Sequence, residues 1–139
     1  MDTKEAKNYL VEICQTVITT LAEKHQIDKH RFNIRIDMEN IGAKPVFALF
    51  HSSQFIAPCS LKEIIHAGGG KGFTMLLSMH IKGIITDIFK ASLQRFELTS
   101  TKELFILLYL KADEPVLGIF VKGEFQEFIP IGEIIGDGI

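Results

Sequence analysis

The element order of this chain follows from one stretch, Ser60 to Arg95, which reads SLKEIIHAGGGKGFTMLLSMHIKGIITDIFKASLQR. Ser60 and Glu63 form a capping-box pattern. In this pattern the serine hydroxyl accepts a hydrogen bond from the backbone N–H of Glu63, and the glutamate carboxylate accepts one from the N–H of Ser60. The pattern predicts a short helix that begins after Ser60 and ends at Gly68, where a left-handed residue is expected.

The second part of the stretch predicts a long helix from Phe73 to about Arg95. Apolar residues recur there at three- and four-residue steps on more than one face, which is typical of a helix buried on more than one side. One stripe comprises Phe73, Leu76, Leu77, Ile81, Ile84, Ile85 and Ile88, and a second comprises Met75, Met79, Phe89 and Leu93. Gly83, in the middle, indicates a close helix crossing, a kink or a packing point under a sheet.

The residues before this stretch predict one helix and two or three strands. Residues 2–25 carry apolar side chains at helical spacing on one face. Residues 31–39 alternate strictly between polar and apolar, the pattern of a strand with one solvated face. Residues 45–50 predict a second, more buried strand, which begins with a proline where the missing N–H costs least. Residues 54–57 are consistent with a short third strand.

The residues after the stretch predict three more strands. Residues 103–111 contain a strongly apolar run from Leu104 to Leu110, which favours an inner strand, with a helix as the alternative. Residues 116–122 and 124–131 predict the next two strands, with a tight turn or bulge at Gly123 between them. Residues 132–139 contain three glycines and predict a loose tail, in which Ile134 and Ile135 could still dock.

The resulting order, α–β–β–(β)–α–β–β–β, predicts an α+β fold. We expect one mainly antiparallel sheet of about five to six strands, covered on one face by the N-terminal helix and the long central helix. The 139 residues fit a single domain, 1–139. No internal repeat, low-complexity tract or linker is evident in the sequence.

Composition restricts the possible partners and the location. The net charge is −2, with 15 basic and 17 acidic residues, so no basic excess is available to bind nucleic acid. The long helix contains His80, Lys82, Asp87 and Lys90, which argue against a membrane span. Two cysteines do not make a disulfide framework, and the N-terminus lacks a secretory signal pattern. These features predict a cytoplasmic protein.

The glycine cluster after the short helix is the candidate ligand site. Its backbone N–H groups and a lysine precede a helix start, where an anion is favoured. The predicted ligand-binding residues are Gly69, Gly70, Lys71, Gly72 and Phe73. The spacing fits neither nucleotide fingerprint, because Lys71 is not followed by Ser or Thr and Phe73 stands where a dinucleotide loop needs glycine. A flexible loop between two helices is the alternative interpretation.

No metal site, cofactor or catalytic residue is predicted. No two of the five histidines lie four residues apart on one helix, and no cysteine pair is closely spaced. Cys59, Ser78 and Ser52 are candidate nucleophiles, but none lies in a nucleophile elbow. A constellation of Cys59 with His51 or His66 would require distant parts of the chain to converge. The sequence leaves open whether the protein is an enzyme.

The apolar content predicts a protein–protein interface. Hydrophobic residues make up 47% of the chain, eleven of them phenylalanine, and both faces of the long helix must be covered. The predicted interface residues are Met75, Met79, Ile81 and Phe89, with the sheet edges as a second possible contact. We therefore expect a small non-enzymatic protein-binding or adaptor domain that acts as a homodimer. The alternative is a small-ligand-binding sensor or enzyme with an anion-contacting loop at 68–72.

Overall fold

A six-stranded antiparallel sheet and two long helices make up most of the chain. The computed structural model describes residues 3–69 and 72–134, and the side chains of all of these except 3, 6, 7, 72–81 and 134. The helices are α1 (Thr3–Lys24), α2 (Leu61–Ala67), α3 (Gly72–Arg95) and α4 (Ile131–Ile134). The strands are β1 (Phe32–Met38), β2 (Pro45–His51), β3 (Gln54–Cys59), β4 (Leu104–Lys111), β5 (Glu114–Val121) and β6 (Glu124–Pro130), and they lie in the order β3-β2-β1-β4-β5-β6. The predicted α+β class is confirmed.

One face of the sheet, the inner face, forms the core. In β1 the apolar residues of the alternating pattern are all buried, and in β4 every second residue from Leu104 is buried in the same way. Ile18 of α1 and Phe89 of α3 belong to the same buried cluster as these strand residues. Both long helices therefore cover the inner face, as predicted. We call the opposite side of the sheet the outer face, and it is available for other contacts.

The capping box predicted at the start of α2 is present. The backbone N of Glu63 lies 3.1 Å from Ser60 Oγ, and the backbone N of Ser60 lies 3.4 Å from the Glu63 carboxylate. The left-handed residue expected at Gly68 is instead Gly69, with φ of 115°, while φ of Gly68 is −83°. A Cβ on Gly68 would lie 3.2 Å from methyl groups of both Ile13 and Val17, so the end of α2 packs closely on α1.

Where the sequence predicts a loose tail, from about residue 132, the chain first forms the short helix α4. Ile131 is buried in the core, and Gly132 lies against Val11 of α1. The short helix α4 therefore docks on α1 directly after β6 ends at Pro130. Residues 135–139 lie outside the described residues.

The structure corrects the expectation that the chain has no internal repeat. The first repeat, α1-β1-β2-β3-α2, and the second, α3-β4-β5-β6-α4, have the same order of α-helices and strands, and a short 3₁₀ helix at Thr101–Glu103 occurs only in the second. Both long helices end on a left-handed residue, Gln26 with φ of 57° and Glu97 with φ of 53°. The residues that follow, Ile27 and Leu98, each donate a backbone hydrogen bond of 2.9 Å to the carbonyl five positions earlier.

The outer hairpins of the two repeats also correspond. Each hairpin carries one register shift, beyond which Phe50 lies opposite Phe55 in the first repeat and Phe120 opposite Phe125 in the second. Identical residues recur at a spacing of 70, as from position 45 to 115. From position 45 onward they are Pro45 and Pro115, Val46 and Val116, Phe50 and Phe120, Phe55 and Phe125, Glu63 and Glu133, Ile64 and Ile134, Ile65 and Ile135, and Gly68 and Gly138.

This duplication defines an approximate two-fold axis. Strand β1 corresponds to β4, and the two strands pair antiparallel at the centre of the sheet, with Arg35 opposite Leu107. Because α1 and α3 lie on the same face, the axis is perpendicular to the sheet and passes near this central pair. The outer face therefore carries two approximately equivalent halves.

The position of Gly83 in α3 gives a stability prediction. It is exposed, and a Cβ there would meet nothing within 4 Å, so no close approach among the described atoms requires glycine. We expect Gly83→Ala to raise the free energy of unfolding by about 0.5–1 kcal/mol, because alanine has less backbone entropy to lose on folding. Urea unfolding followed by circular dichroism measures this change.

A matched control is Gly118→Ala in β5. A Cβ on Gly118 would lie 3.0 Å from the Tyr109 ring and 3.3 Å from the Phe120 ring, so we expect no gain in stability at this position. A loss of stability on Gly83→Ala would contradict the prediction, since it would mean that glycine is needed there for close packing.

Candidate functional site

The outer face of the sheet carries a concentration of phenylalanine. Alternate residues of a strand point to opposite faces, so the residues between the core residues of strands β2 to β6 share this side. Six of the eleven phenylalanines lie on it by strand register. We call this set the outer aromatic surface: Phe50, Phe55, Phe105, Phe120, Phe125 and Phe128.

Two edge-to-face ring pairs organise this surface. The Phe50 and Phe55 rings have centroids 5.7 Å apart, and their planes are inclined by 77°. For the Phe120 and Phe125 rings, the centroid distance is 5.5 Å and the angle between the planes is 68°. The second pair is extended by Phe105, which stacks on Phe120 with centroids 4.9 Å apart. Both arrangements are favourable for aromatic quadrupoles. The internal duplication thus repeats the ring geometry on both sides of the sheet.

Charged groups lie among the rings near the centre. The guanidinium of Arg35 lies 3.9 Å from the Phe105 ring centroid and donates two hydrogen bonds to Asp37, at 2.9 and 3.1 Å. The ammonium of Lys111 lies 3.3 Å from the Phe128 ring centroid. Cations above aromatic faces are attracted by the ring quadrupole. The centre of the surface therefore presents one positive and one negative group side by side.

The exposure of this surface is unusual for side chains of this type. Phe55, Phe125 and Phe128 expose 56, 50 and 39% of their area, which at about 200 Å² per phenylalanine is roughly 300 Å². That area is already comparable to the largest apolar patch of a typical monomer, and such patches are often functional. The arrangement suits contact with another protein surface.

Sequence reasoning missed this surface. The run from Pro45 to Phe50 is almost entirely apolar, so it was interpreted as a second strand that is more buried than the first. The signal that could have revealed the surface is the recurrence of Pro-Val followed by two spaced phenylalanines in residues 45–55 and 115–125.

The predicted ligand site lies largely outside the described residues. Gly70 and Lys71 are not described, and Gly72 and Phe73 are described only as the backbone that begins α3. Gly69 is described, with open space around its Cβ position and a left-handed backbone. The anion-binding role of this loop stays a prediction.

The predicted interface residues of α3 divide into two groups. The side chains of Met75, Met79 and Ile81 lie outside the described residues. Phe89 is fully buried and belongs to the core cluster beside Ile85. The second apolar stripe of this helix therefore contributes a core residue of the single chain at Phe89, and this side chain is not on its surface.

A groove of about 720 Å³ lies between α1 and α2. Its lining residues are Thr20, Leu21, Lys24, Leu61, Lys62, Glu63, Ile65, His66 and Ala67. The size is in the range of small-molecule sites, which combine an apolar surface with a few polar groups. Two lysines and a histidine accompany a single glutamate, which already accepts the capping-box hydrogen bond. The groove would suit an apolar molecule with an anionic group.

The two cysteines are poorly suited to nucleophilic chemistry. Both are free and buried, and burial raises the pKa of Cys14 to about 12. Burial, followed by the nearby Glu63 carboxylate, raises the pKa of Cys59 to about 12. A thiol of this kind stays protonated near neutral pH, whereas the thiolate is the reactive form. Ser52 lies exposed in the β2–β3 turn, and the Ser78 side chain lies outside the described residues.

A histidine between two aspartates joins two loops at one end of the sheet. His30 Nε2 lies 2.7 Å from Asp113 in the β4–β5 turn, and His30 Nδ1 lies 3.2 Å from Asp28. The hydrogen bond to Asp113, followed by that to Asp28, raises the pKa of His30 above 6.5. Hydrogen bonds from His30 lower the pKa of both aspartates.

This cluster predicts a specific pH dependence. Because the folded-state pKa of His30 is raised, its stabilising contribution is complete below its ordinary pKa of about 6.5 and is lost as the pH rises through the folded-state value. NMR titration should give a His30 pKa above the ordinary value, and Asp113→Asn should lower it. Asp37→Asn, whose carboxylate pairs with Arg35 instead, serves as a control. An unchanged His30 pKa in Asp113→Asn would contradict the prediction.

Metal binding and membrane insertion are two further possibilities that bear on the described residues. In the part of the chain that the structure describes, no group of three or more His, Cys, Asp or Glu side chains is placed to hold a metal ion. Among the described helices, none combines the length and apolar character needed to cross a bilayer.

Comparison of the chain with protein-family models, with curated proteins and with solved structures finds no match in any of the three. The geometry of the surfaces is therefore the basis for inferring a function.

Proposed function

We propose that this protein is a small, non-enzymatic protein-binding or adaptor domain that acts as a homodimer. The observation that carries the proposal is the outer aromatic surface, where six phenylalanines lie on one open face of the sheet. Aromatic residues are enriched at protein interfaces, and an exposed apolar patch of this size is costly to leave in water. A binding role gives this surface a function.

Two further observations support a binding role in a reducing compartment. The raised pKa values of both thiols disfavour cysteine-based catalysis, which needs a thiolate. The free, buried cysteines suit the cytoplasm, where thiols stay reduced. The proposal therefore places the protein in the cytoplasm.

The test is the oligomeric state of the freshly purified wild-type protein. Native mass spectrometry and sedimentation velocity over a range of micromolar concentrations should show a species of twice the chain mass of 15.6 kDa that dissociates on dilution. A monomer at every concentration would contradict the homodimer.

The α1–α2 groove favours a second candidate function, the binding of a small apolar anion. The groove is lined in part by α2, which ends at Ala67, directly before the glycine cluster in the sequence. Decanoate and decanol form a matched pair of probes with the same chain and different charge. This candidate function predicts that decanoate raises the melting temperature more than decanol, because a ligand stabilises the state that binds it.

A charge-removal variant tests the same candidate. Lys24→Ala with Lys62→Ala should abolish the difference between decanoate and decanol, because both lysines line the groove. A difference that persists in this variant, or no stabilisation of the wild type by either probe, would argue against the groove as a ligand site.

A further inference from the structure

The outer aromatic surface is approximately symmetric within one chain. Its two edge-to-face pairs, one at Phe50 and Phe55 and one at Phe120 and Phe125, are related by the axis that passes near Arg35 and Leu107. A partner that covers both halves must offer similar chemistry at two places. A second copy of the same chain meets this requirement directly, since its own surface carries the same two ring pairs.

The charges at the centre are also self-complementary. Arg35 and Asp37 lie two residues apart on β1 and already form a salt bridge. In a two-fold dimer the same patch contacts itself, so a rotated copy can place its negative group near the positive group of the first chain. The central charges can therefore stay paired when the face is covered, which matters because an unpaired buried charge is costly.

The size of the face matches what a stable dimer requires. Six strands at about 4.8 Å spacing and about seven residues at 3.3 Å each give a footprint of roughly 650 Å². A standard interface buries about 800 Å² of accessible surface per partner. The exposed phenylalanine area of roughly 300 Å² would form two apolar patches on the edge strands β3 and β6, on either side of the central charges. The two sheets would pack face to face at about 10 Å.

We propose that the outer aromatic surface binds a second copy of this chain, sheet against sheet, with the ring pairs of the two repeats facing those of the partner. The inference rests on the proposed function, because it names the surface through which the homodimer forms. This surface is different from the interface that the sequence predicts on α3, where Phe89 is fully buried.

The decisive variant changes one exposed ring in each repeat. Phe55→Lys combined with Phe125→Lys places like charges in both halves of the surface, and both positions are at least half exposed. We expect the dimer dissociation constant to rise by more than about 100-fold, because one exposed aromatic contact is lost in each half of the surface. Ile41→Lys is the matched control, because Ile41 is also an exposed apolar residue but lies in the β1–β2 loop.

The outcomes separate the inference from the proposed function. A dimeric wild type and Ile41→Lys, with a monomeric and folded double variant, support the inference. A double variant that stays dimeric overturns the inference and leaves the homodimer standing on another surface. A monomeric wild type overturns the homodimer and the inference together.

A second measurement avoids any effect of the variants on folding. Hydrogen exchange of the wild-type protein, compared between dilute and concentrated samples, should show slower exchange at high concentration in the edge strands β3 and β6. Slowing confined to α3 would overturn the inference, because it would place the contact on the helix.

Discussion

Replacing Phe89 by alanine is expected to lower the free energy of unfolding by about 3–5 kcal/mol, because it removes a fully buried ring and leaves a cavity. The side chain belongs to the core cluster that α3 forms with the inner face of the sheet, and close-packed neighbours relax only partly around such a cavity. Since small domains are stable by about 5–15 kcal/mol, the loss would leave the variant marginally folded. Thermal and urea unfolding measure the effect.

The control for this prediction is Phe128→Ala. Phe128 is the same residue type on the outer face and is 39% exposed, so its truncation should cost much less at concentrations where the chain is monomeric. If Phe89→Ala destabilised the protein no more than Phe128→Ala, the placement of Phe89 in the core would be contradicted. A changed dimer affinity with unchanged stability in Phe89→Ala would instead favour an interface on α3.

Replacing Ile106 by alanine should cost about 2–5 kcal/mol, whereas Leu107→Ala should cost about 1 kcal/mol or less in the monomer. Ile106 is fully buried on the inner face, and Leu107 is its half-exposed neighbour on the outer face. The two side chains are chemically similar, so the difference in unfolding free energy measures which face of β4 is the core. Equal costs would mean that both faces of the strand are buried.

The same two variants also test the dimer interface, when dimerisation is measured at high protein concentration. Leu107 lies at the centre of the outer face beside Arg35. If a second copy covers this face, Leu107→Ala should weaken dimerisation, while Ile106→Ala should act only through stability.

Local patterns in the sequence predicted individual elements well. The alternation from Arg31 to Glu39 predicted β1 as a strand with one solvated face. The capping box of Ser60 and Glu63 predicted the start of α2. Both signals involve residues close in the chain, where side-chain spacing and hydrogen-bond geometry are set by the backbone alone. The strand β4 was also predicted, although its residues from Leu104 to Leu110 are all apolar or aromatic.

The internal repeat escaped prediction because its spacing is not constant. The helix ends correspond at a spacing of 71, as Gln26 and Glu97 do, and the hairpins at 70, as Pro45 and Pro115 do. The connectors after the helices and after the first strands of the two repeats differ in length. A repeat with insertions of this kind is detected more readily from matching turns and bulges than from residue identities.

Sequence alone was sufficient for the α+β class, the element order and the helices on one face, because these follow from periodicity and from the need to bury apolar stripes. Tertiary structure alone decided that Phe89 is a core residue and that Phe55 and Phe125 are exposed. A helix with two apolar stripes can turn either one toward a sheet, and an apolar strand can present either side. Only the packing of α1 and α3 together on one face determines which side chains remain open to a partner.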